Sequence, residues 1–201
     1  MSRRLYVATK NAGKLRELRE ILGAYGWTAE AFDGYADVVE GTASYAENAA
    51  LKARALRAAL DAAGRREPAL GDDSGLEVAA LGGRPGVLSA RYGGDGATWG
   101  ERRRLLLAET SAAVAPDGGR SARAARFVCA LHYVAADGAE TSVLSDFPGF
   151  VGREERGDGG FSYDAIFELD DGRTFAELSE AEKNAISHRA RAVAALLEAL
   201  R

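Results

Sequence analysis

The sequence is poor in the residues that staple a chain or anchor it in a membrane. Its single cysteine, Cys129, excludes an internal disulfide and a thiolate metal cluster, and it lies inside the apolar run ARFVCALHYV. A reducing cytoplasm fits such a chain. No stretch approaches the roughly 18 consecutive apolar residues of a membrane span. After two early arginines only LYVAT precedes Lys10, too short for the apolar part of a signal peptide. The expected protein is therefore soluble, unexported and without a membrane partner. Positive charge is also in the minority, with 26 Lys and Arg against 30 Asp and Glu and a net charge of -4. Sequence-independent nucleic-acid binding needs a basic face, so no nucleic-acid partner is expected. An anionic ligand stays open, provided a metal and local cations hold it.

What is present is ample apolar material: 47% of 201 residues is enough to bury a full core, and no repeat, linker or low-complexity tract divides residues 1–201, which are expected to form a single domain. Residues 5–8 (LYVA) read as a buried strand. The turn-prone TKNAG follows, and LRELREIL then places Leu15, Leu18, Ile21 and Leu22 on one helical face. Ser44 and Glu47 have capping-box spacing before an alanine-rich helix that Gly64 would stop. PALGDDSGLEV gives a short segment running into acidic residues, followed by a glycine-rich loop. Thr98 and Glu101 repeat the cap before a helix through Leu107. Residues 124–135 and 140–145 read as strands joined at Asp137-Gly138, in a sheet covered on both faces. GREERGDGG (152–160) has the composition of a mobile loop. Ser179 with Glu182, or alternatively Ser187, starts the closing helix. The alternation of helices and strands specifies an α/β fold with a mixed sheet.

Three constellations can carry chemistry. In Thr9-Lys10-Asn11-Ala12-Gly13-Lys14 a strand delivers a small-residue loop onto a helix start, where backbone N–H groups and the positive helix end can face an anion and Lys14 adds a full charge. An ordinary capped turn would read the same way. The second constellation is acidic: Glu40 and Glu47 near the second helix, then Asp72 and Asp73. Hard oxygen ligands suit Mg2+, which takes one or two protein carboxylates and completes its shell with water and phosphate oxygens. Glu47 is equally accounted for as a cap, whereas adjacent aspartates after an apolar run repel one another unless a cation screens them. The third is FSYD (161–164) with Lys183, His188 and Arg189. An aromatic ring can stack on a purine, and these donors match a 6-oxo acceptor and mismatch the amino group of adenine. Singly, Phe161 also reads as core, and Lys183, His188 and Arg189 as surface groups. His132, among apolar neighbours, reads as structural, and Trp27 and Trp99 as packing.

Taken together and in order, ATKNAGKLREL, EGTASYAENAALKARAL, GDDSGLEVAALGGRPGVLSARY, GGFSYDAIF and AELSEAEKNAISHRARA resemble the inosine triphosphate pyrophosphatase family, also called XTP/dITP diphosphatases, nearly end to end. The resemblance implies an elongated α/β fold with a central mixed β-sheet flanked by helices, two lobes enclosing a nucleotide cleft, and a homodimer. It implies Mg2+-dependent conversion of ITP, dITP and XTP to the monophosphate and pyrophosphate. Carried over by motif, Thr9, Lys10, Asn11, Ala12, Gly13 and Lys14 would hold the triphosphate and Ser74 would contact substrate. Glu40 and Asp73 would carry the metal, with Asp73 also the general base. Phe161, Ser162, Tyr163, Asp164, Lys183, His188 and Arg189 would enclose the base. The chain departs from the family pattern at Ser162, usually Gly, and Ala165, usually Pro, which bears on the base-side loop. Alternatives are a pyrophosphatase for other modified nucleotides, such as methylated pyrimidine triphosphates, a non-catalytic nucleotide sensor, and a generic interaction domain.

Overall fold

The computed structural model describes residues 3–201, which divide into two compact units. The first comprises the chain up to Asp73, Cys129–Ser145 and Asn184–Arg201; the second comprises Ser74–Val128 and Asp146–Lys183.

The first unit begins with β1 (Arg3–Ala8), whose Leu5 to Ala8 are all buried. Asn11 caps α1 (Ala12–Gly23), which buries Leu18, Ile21 and Leu22 as the apolar spacing demands, with Leu15 packed at the edge of the cluster. β2 (Trp27–Glu30) pairs parallel with β1, Arg3 opposite Trp27. Ser44 caps α2 (Tyr45–Ala62) by accepting the Glu47 N–H, and the helix ends before Gly64 as expected. Because a parallel neighbour needs a crossover, α2 is the connection that returns the chain to the other edge of β1. There β3 (Ala69–Val78) sets Tyr6 opposite Ala69 and Ala8 opposite Gly71. Leu5, Leu18, Leu22, Leu70 and Val193 share one core cluster, and each such side chain contributes roughly 1.5–3 kcal/mol on burial.

β4 (Ala124–Val134) and β5 (Glu140–Val151) follow one another through a turn in which Ala135 N–H donates to the Ala139 carbonyl. Strand order in the sheet is β2-β1-β3-β4-β5-β6, with β6 (Phe167–Glu168) antiparallel to the end of β5; with β1 parallel to both neighbours, the sheet is mixed. Three expectations change. The acidic stretch is no strand end: β3 runs on through Asp72 and Asp73 to Val78. The strand expected over 140–145 runs on to Val151, whereas β4 ends at Val134, one residue short of its expected range. Cover on both faces holds for β4, buried without break from Phe127 to His132, and fails for β5, where Glu140, Ser142, Leu144, Asp146 and Pro148 are exposed. That period-two alternation is the mark of a strand wetted on one side.

In the second unit, α3 (Trp99–Ala113) starts on the reciprocal Thr98–Glu101 capping box and runs beyond Leu107. Leu76, Leu106, Phe127, Phe167 and Phe175 form its core. Residues 152–160 hold no regular element, yet they are tied down: Arg156 N–H donates to the Ala165 carbonyl and Gly159 N–H to the Ala176 carbonyl. Both late cap signals are used, giving α4 (Glu180–Ile186) after Ser179 and α5 (His188–Ala199) after Ser187.

Candidate active site

Successive residues of a strand point to opposite faces, so the neighbours Asp72 and Asp73 are delivered to different surroundings. Asp73 meets α2. A Cβ on Gly71 would lie 2.0 Å from the Ala49 carbonyl oxygen and 2.9 Å from the Ala53 nitrogen, so only glycine lets β3 approach the α2 backbone this closely. The approach brings Asn48 and Lys52, one helical turn apart, onto the carboxylate. Asn48 Nδ2 donates to Asp73 Oδ2 at 3.1 Å, and Lys52 Nζ to Asp73 Oδ1 at 2.9 Å and to the Asp72 carbonyl at 3.2 Å. The same ammonium pairs with Glu40 Oε1 at 2.5 Å. Asn48 is itself fixed by exchanging hydrogen bonds with the Gly41 backbone. Burial pushes the Asp73 carboxyl above its ordinary pKa, against the pull of Lys52 and Lys14. Burial also disfavours the Lys52 ammonium, but Asp73 and Glu40 outweigh it and hold the group protonated.

Asp72 meets α1 and α5. Its Oδ1 lies 2.7 Å from Lys14 Nζ, and its Oδ2 accepts from Arg189 Nε at 2.8 Å and from Cys129 Sγ at 3.6 Å. Arg189 pairs in turn with Glu17. Burial works against this charge too, yet Arg189 and Lys14 hold the carboxyl far below the ordinary range. Burial and the neighbouring Asp72 push the Cys129 thiol up, which leaves it unreactive.

The Thr9–Lys14 loop is an N-cap in this structure. Thr9 Oγ1 accepts the Asn11 N–H at 3.1 Å, and Asn11 Oδ1 accepts those of Gly13 at 2.9 Å and Lys14 at 3.2 Å. Three of the N–H groups expected to face an anion are thus engaged inside the loop, because asparagine is a strong competitor for them. The Lys10 and Ala12 side chains are exposed, and Lys14 keeps its charge on Asp72.

In the second unit, Asp164 closes a tight turn by accepting the Phe161 N–H at 2.7 Å and Lys183 Nζ at 2.5 Å. A side chain on Gly160, at φ +69°, would strike Asp164 Oδ2 at 2.2 Å. Lys183 Nζ lies 4.8 Å from the centre of the half-buried Phe161 ring, within cation–π range. Ser162 has φ 60°, the one non-glycine residue among those described with a positive φ, so serine keeps the left-handed backbone that glycine takes more cheaply. Its carbonyl accepts from Arg103 at 2.9 Å, and Arg103 also pairs with Glu155.

The structure thus brings Glu40 and Asp73 together on Lys52, the Thr9–Lys14 loop and Arg189 together on Asp72, and Phe161 and Asp164 together with Lys183. It does not bring Tyr163 to an open face: that ring is fully buried, edge-on to Trp99, with its hydroxyl donating to the Ser89 carbonyl. Arg189, expected at a base, is 1% exposed with its guanidinium on Asp72 and Glu17. His188 is buried at the first turn of α5, and Ser74 is half-buried. Glu47 is exposed in the first turn of α2.

Lys52, Asn48 and Glu17 were missed from sequence. The signal was there: Asn48 and Lys52 interrupt the buried stripe Tyr45, Ala49, Ala53, Leu56 and Leu60, and Glu17 interrupts Leu18, Ile21 and Leu22. A charge in an apolar stripe must be paired, and that pairing marks a site.

The residues fit a divalent metal. Two carboxylates already converge on one cation, the Lys52 ammonium, and Glu40 is partly open to solvent. Among the described residues no three His, Cys, Asp or Glu side chains gather to hold a metal, but Mg2+ needs only one or two carboxylates when phosphate and water supply the rest.

A carboxylate made more basic by burial, a second carboxylate and two lysines, all set on an α/β sheet, equip an enzyme for an anionic, metal-bound substrate. The chain belongs to the Ham1 family, whose model matches residues 5–199. It is 47% identical over 204 residues to a dITP/XTP pyrophosphatase of Mycolicibacterium paratuberculosis, covering 98% of this chain and 95% of the relative. It is 45% identical to the protein of that name from Gloeobacter violaceus, covering 98% and 94%. Among solved structures, a HAM1 protein from Coxiella burnetii matches with a TM-score of 0.82 and 36% identity over 98% of both chains. A nucleoside-triphosphatase and dITP/XTP pyrophosphatase from Mycobacterium abscessus matches at 0.70 and 39%, covering 98% of this chain and all of the other.

Proposed function

We propose that this protein hydrolyses deaminated purine nucleoside triphosphates, ITP, dITP and XTP, to the monophosphate and pyrophosphate with Mg2+. The observation that carries the reading is the Asp73 carboxylate, buried and raised in pKa, held by Asn48 and Lys52 beside Glu40. Family membership and the names of the relatives support the substrate class.

The bond broken is the anhydride between the α- and β-phosphates. Asp73 takes the proton of the attacking water, and the pKa that burial raises makes it the better base. Glu40 and Asp73 would hold Mg2+, which supplies charge neutralisation at the phosphate oxygens and lowers the pKa of water. Lys14 and the Thr9–Lys14 loop hold the triphosphate. Lys52 and Asn48 fix the direction in which Asp73 presents its lone pairs. Ser74 contacts substrate. Phe161 stacks on the base, while Lys183 and His188 supply donors that match a 6-oxo group and reject the adenine amino group, with Asp164 aiming Lys183 and Arg189, expected beside them, holding the Asp72 carboxylate behind the site instead. Ser162 and Tyr163 shape that loop.

Residues 1–201 act as one functional domain, in a homodimer, and in the cytoplasm; the lone buried cysteine supports the compartment. Among the described residues no helix is long and apolar enough to cross a membrane.

The test is pyrophosphate release from ITP, XTP, dITP, GTP, ATP and dTTP, with Mg2+ and with chelator, for wild type and Asp73→Asn. Release from ITP, dITP and XTP that needs Mg2+ and vanishes in the variant is expected. Release mainly from other nucleotides would move the substrate, and no release from any would sink the reading.

A further inference from the structure

On the β4–β5 hairpin, away from the carboxylates described above, four side chains form a directed relay. His132 Nδ1 lies 2.6 Å from Ser142 Oγ, and His132 Nε2 lies 3.0 Å from Glu140 Oε2. Glu140 is gripped at both oxygens by Arg54 of α2, Nε to Oε1 at 2.9 Å and the terminal nitrogen to Oε2 at 2.7 Å. We propose that Ser142 is an activated nucleophile, a covalent acceptor for the acyl group of activated esters, prepared by His132, Glu140 and Arg54.

The proton positions follow from the partners. Glu140, held by Arg54 at a pKa of about 2, is ionised and can only accept. The imidazole proton therefore sits on Nε2, and the Nδ1 lone pair faces the Ser142 hydroxyl. Burial pulls the His132 pKa below its usual value, outweighing Glu140, with Arg54 acting in the same direction as burial, so the ring is neutral at pH 7 and its Nδ1 lone pair is free to accept a proton. Nucleophile, base and a third group that orients the base are the parts that activate a serine. A polar lock between two strands would need only the Ser142–His132 pair; the bidentate Arg54 grip adds a fixed tautomer.

Ser142 is exposed, and Leu144, two residues along on the same face and 63% exposed, offers apolar ground for an acyl group. In the step, Ser142 Oγ bonds to the ester carbonyl carbon, the bond from that carbon to the leaving oxygen breaks, and the serine proton passes to His132 Nδ1 and then to water. Oxidation states do not change. On so open a strand surface the relay accepts an acyl group rather than turning it over.

The intact protein, without nucleotide, is treated with 4-nitrophenyl acetate, and the acetyl group is located by peptide mass spectrometry. Acetyl-Ser142 is expected, absent in Ser142→Ala. Its rate should fall about 100-fold in His132→Gln, at the lower end of what general-base assistance contributes. It should also fall as pH drops through a His132 ionisation below the ordinary histidine range. Because His132 is buried, Glu140→Gln at an exposed position is the second variant; it removes the orienting charge and should slow the reaction about tenfold. Pyrophosphate release should stay unchanged in each variant. No adduct on Ser142, or an adduct that forms equally fast in His132→Gln and Glu140→Gln, overturns the proposal.

Discussion

The two faces of β3 treat the same chemical group in opposite ways. Asp72 and Asp73 are adjacent, both buried and both beside cations, yet the carboxyl of one is held far below its ordinary pKa and that of the other is raised. On the Asp72 face, Lys14 and the guanidinium of Arg189 meet both oxygens, and their charges overcome desolvation. On the Asp73 face, one ammonium is divided among Asp73, Glu40 and a carbonyl, and the other contact is a neutral amide. Burial therefore wins. A strand that alternates faces turns one acidic pair into a fixed anion and a base.

The largest expected difference between the two faces is in turnover. Asp73→Asn keeps the side-chain shape and one acceptor, for Lys52, while its amide nitrogen replaces the oxygen facing Asn48, so the protein should fold with a melting temperature a few degrees below wild type. Its kcat should fall by about 10²–10⁴, the range for a lost general base. A variant that keeps a tenth of wild-type activity would remove Asp73 from that role.

The Asp72 face should answer in stability instead. Arg189→Ala takes the guanidinium away from two buried carboxylates, Asp72, which keeps Lys14, and Glu17, which costs about 3–5 kcal/mol. For a chain of this length that lowers the melting temperature on the order of 10 °C. Because the folded pKa of Asp72 is depressed, its contribution is complete above about pH 4, the unfolded value, and is lost as pH falls through the folded value. The wild-type and Arg189→Ala melting curves should therefore converge in acid. If the variant melts like wild type and loses only its preference for ITP over ATP, Arg189 serves the base and not the strand.

Much of this was legible in the residues and some was not. The caps at Ser44, Thr98, Ser179 and Ser187 and the apolar stripe of α1 are local patterns, and local patterns fixed those elements. The length of β3 was not legible, because the aspartates of DDSG read as the end of a short apolar segment until cations arriving from α1, α2 and α5 make the pair tolerable in a strand. Lys52 was hidden for the same reason: its partners are 12 and 21 residues away in sequence. Ser162 shows the reverse case, a non-glycine residue whose backbone is nonetheless left-handed, held through its carbonyl by Arg103.

Lys52→Met sharpens the comparison through pH. Asp73 must be ionised to act, so kcat/KM falls as pH drops through its raised pKa. Lys52 is the stronger of the two lysines lowering that pKa, so its removal should move the acid limb of the profile to higher pH. An acid limb that stays in place would mean that the limb reports a group other than Asp73.

Lys14 acts on both faces, and its removal should have the smallest effect of the series. It pairs with Asp72 and also lowers the pKa of Asp73, behind Lys52. Lys14→Ala leaves Asp72 with Arg189, so the fold should hold. The acid limb should shift in the same direction as in Lys52→Met, but less far. Removing a partly exposed ammonium from the phosphate site should weaken ITP binding about tenfold, near 1.4 kcal/mol, and IMP binding by less, because the monophosphate presents fewer charges to it. Isothermal titration with both nucleotides separates the roles: equal losses would leave Lys14 as a partner of Asp72 alone, and a selective loss of the triphosphate would make it the residue through which substrate charge reaches the β3 carboxylates.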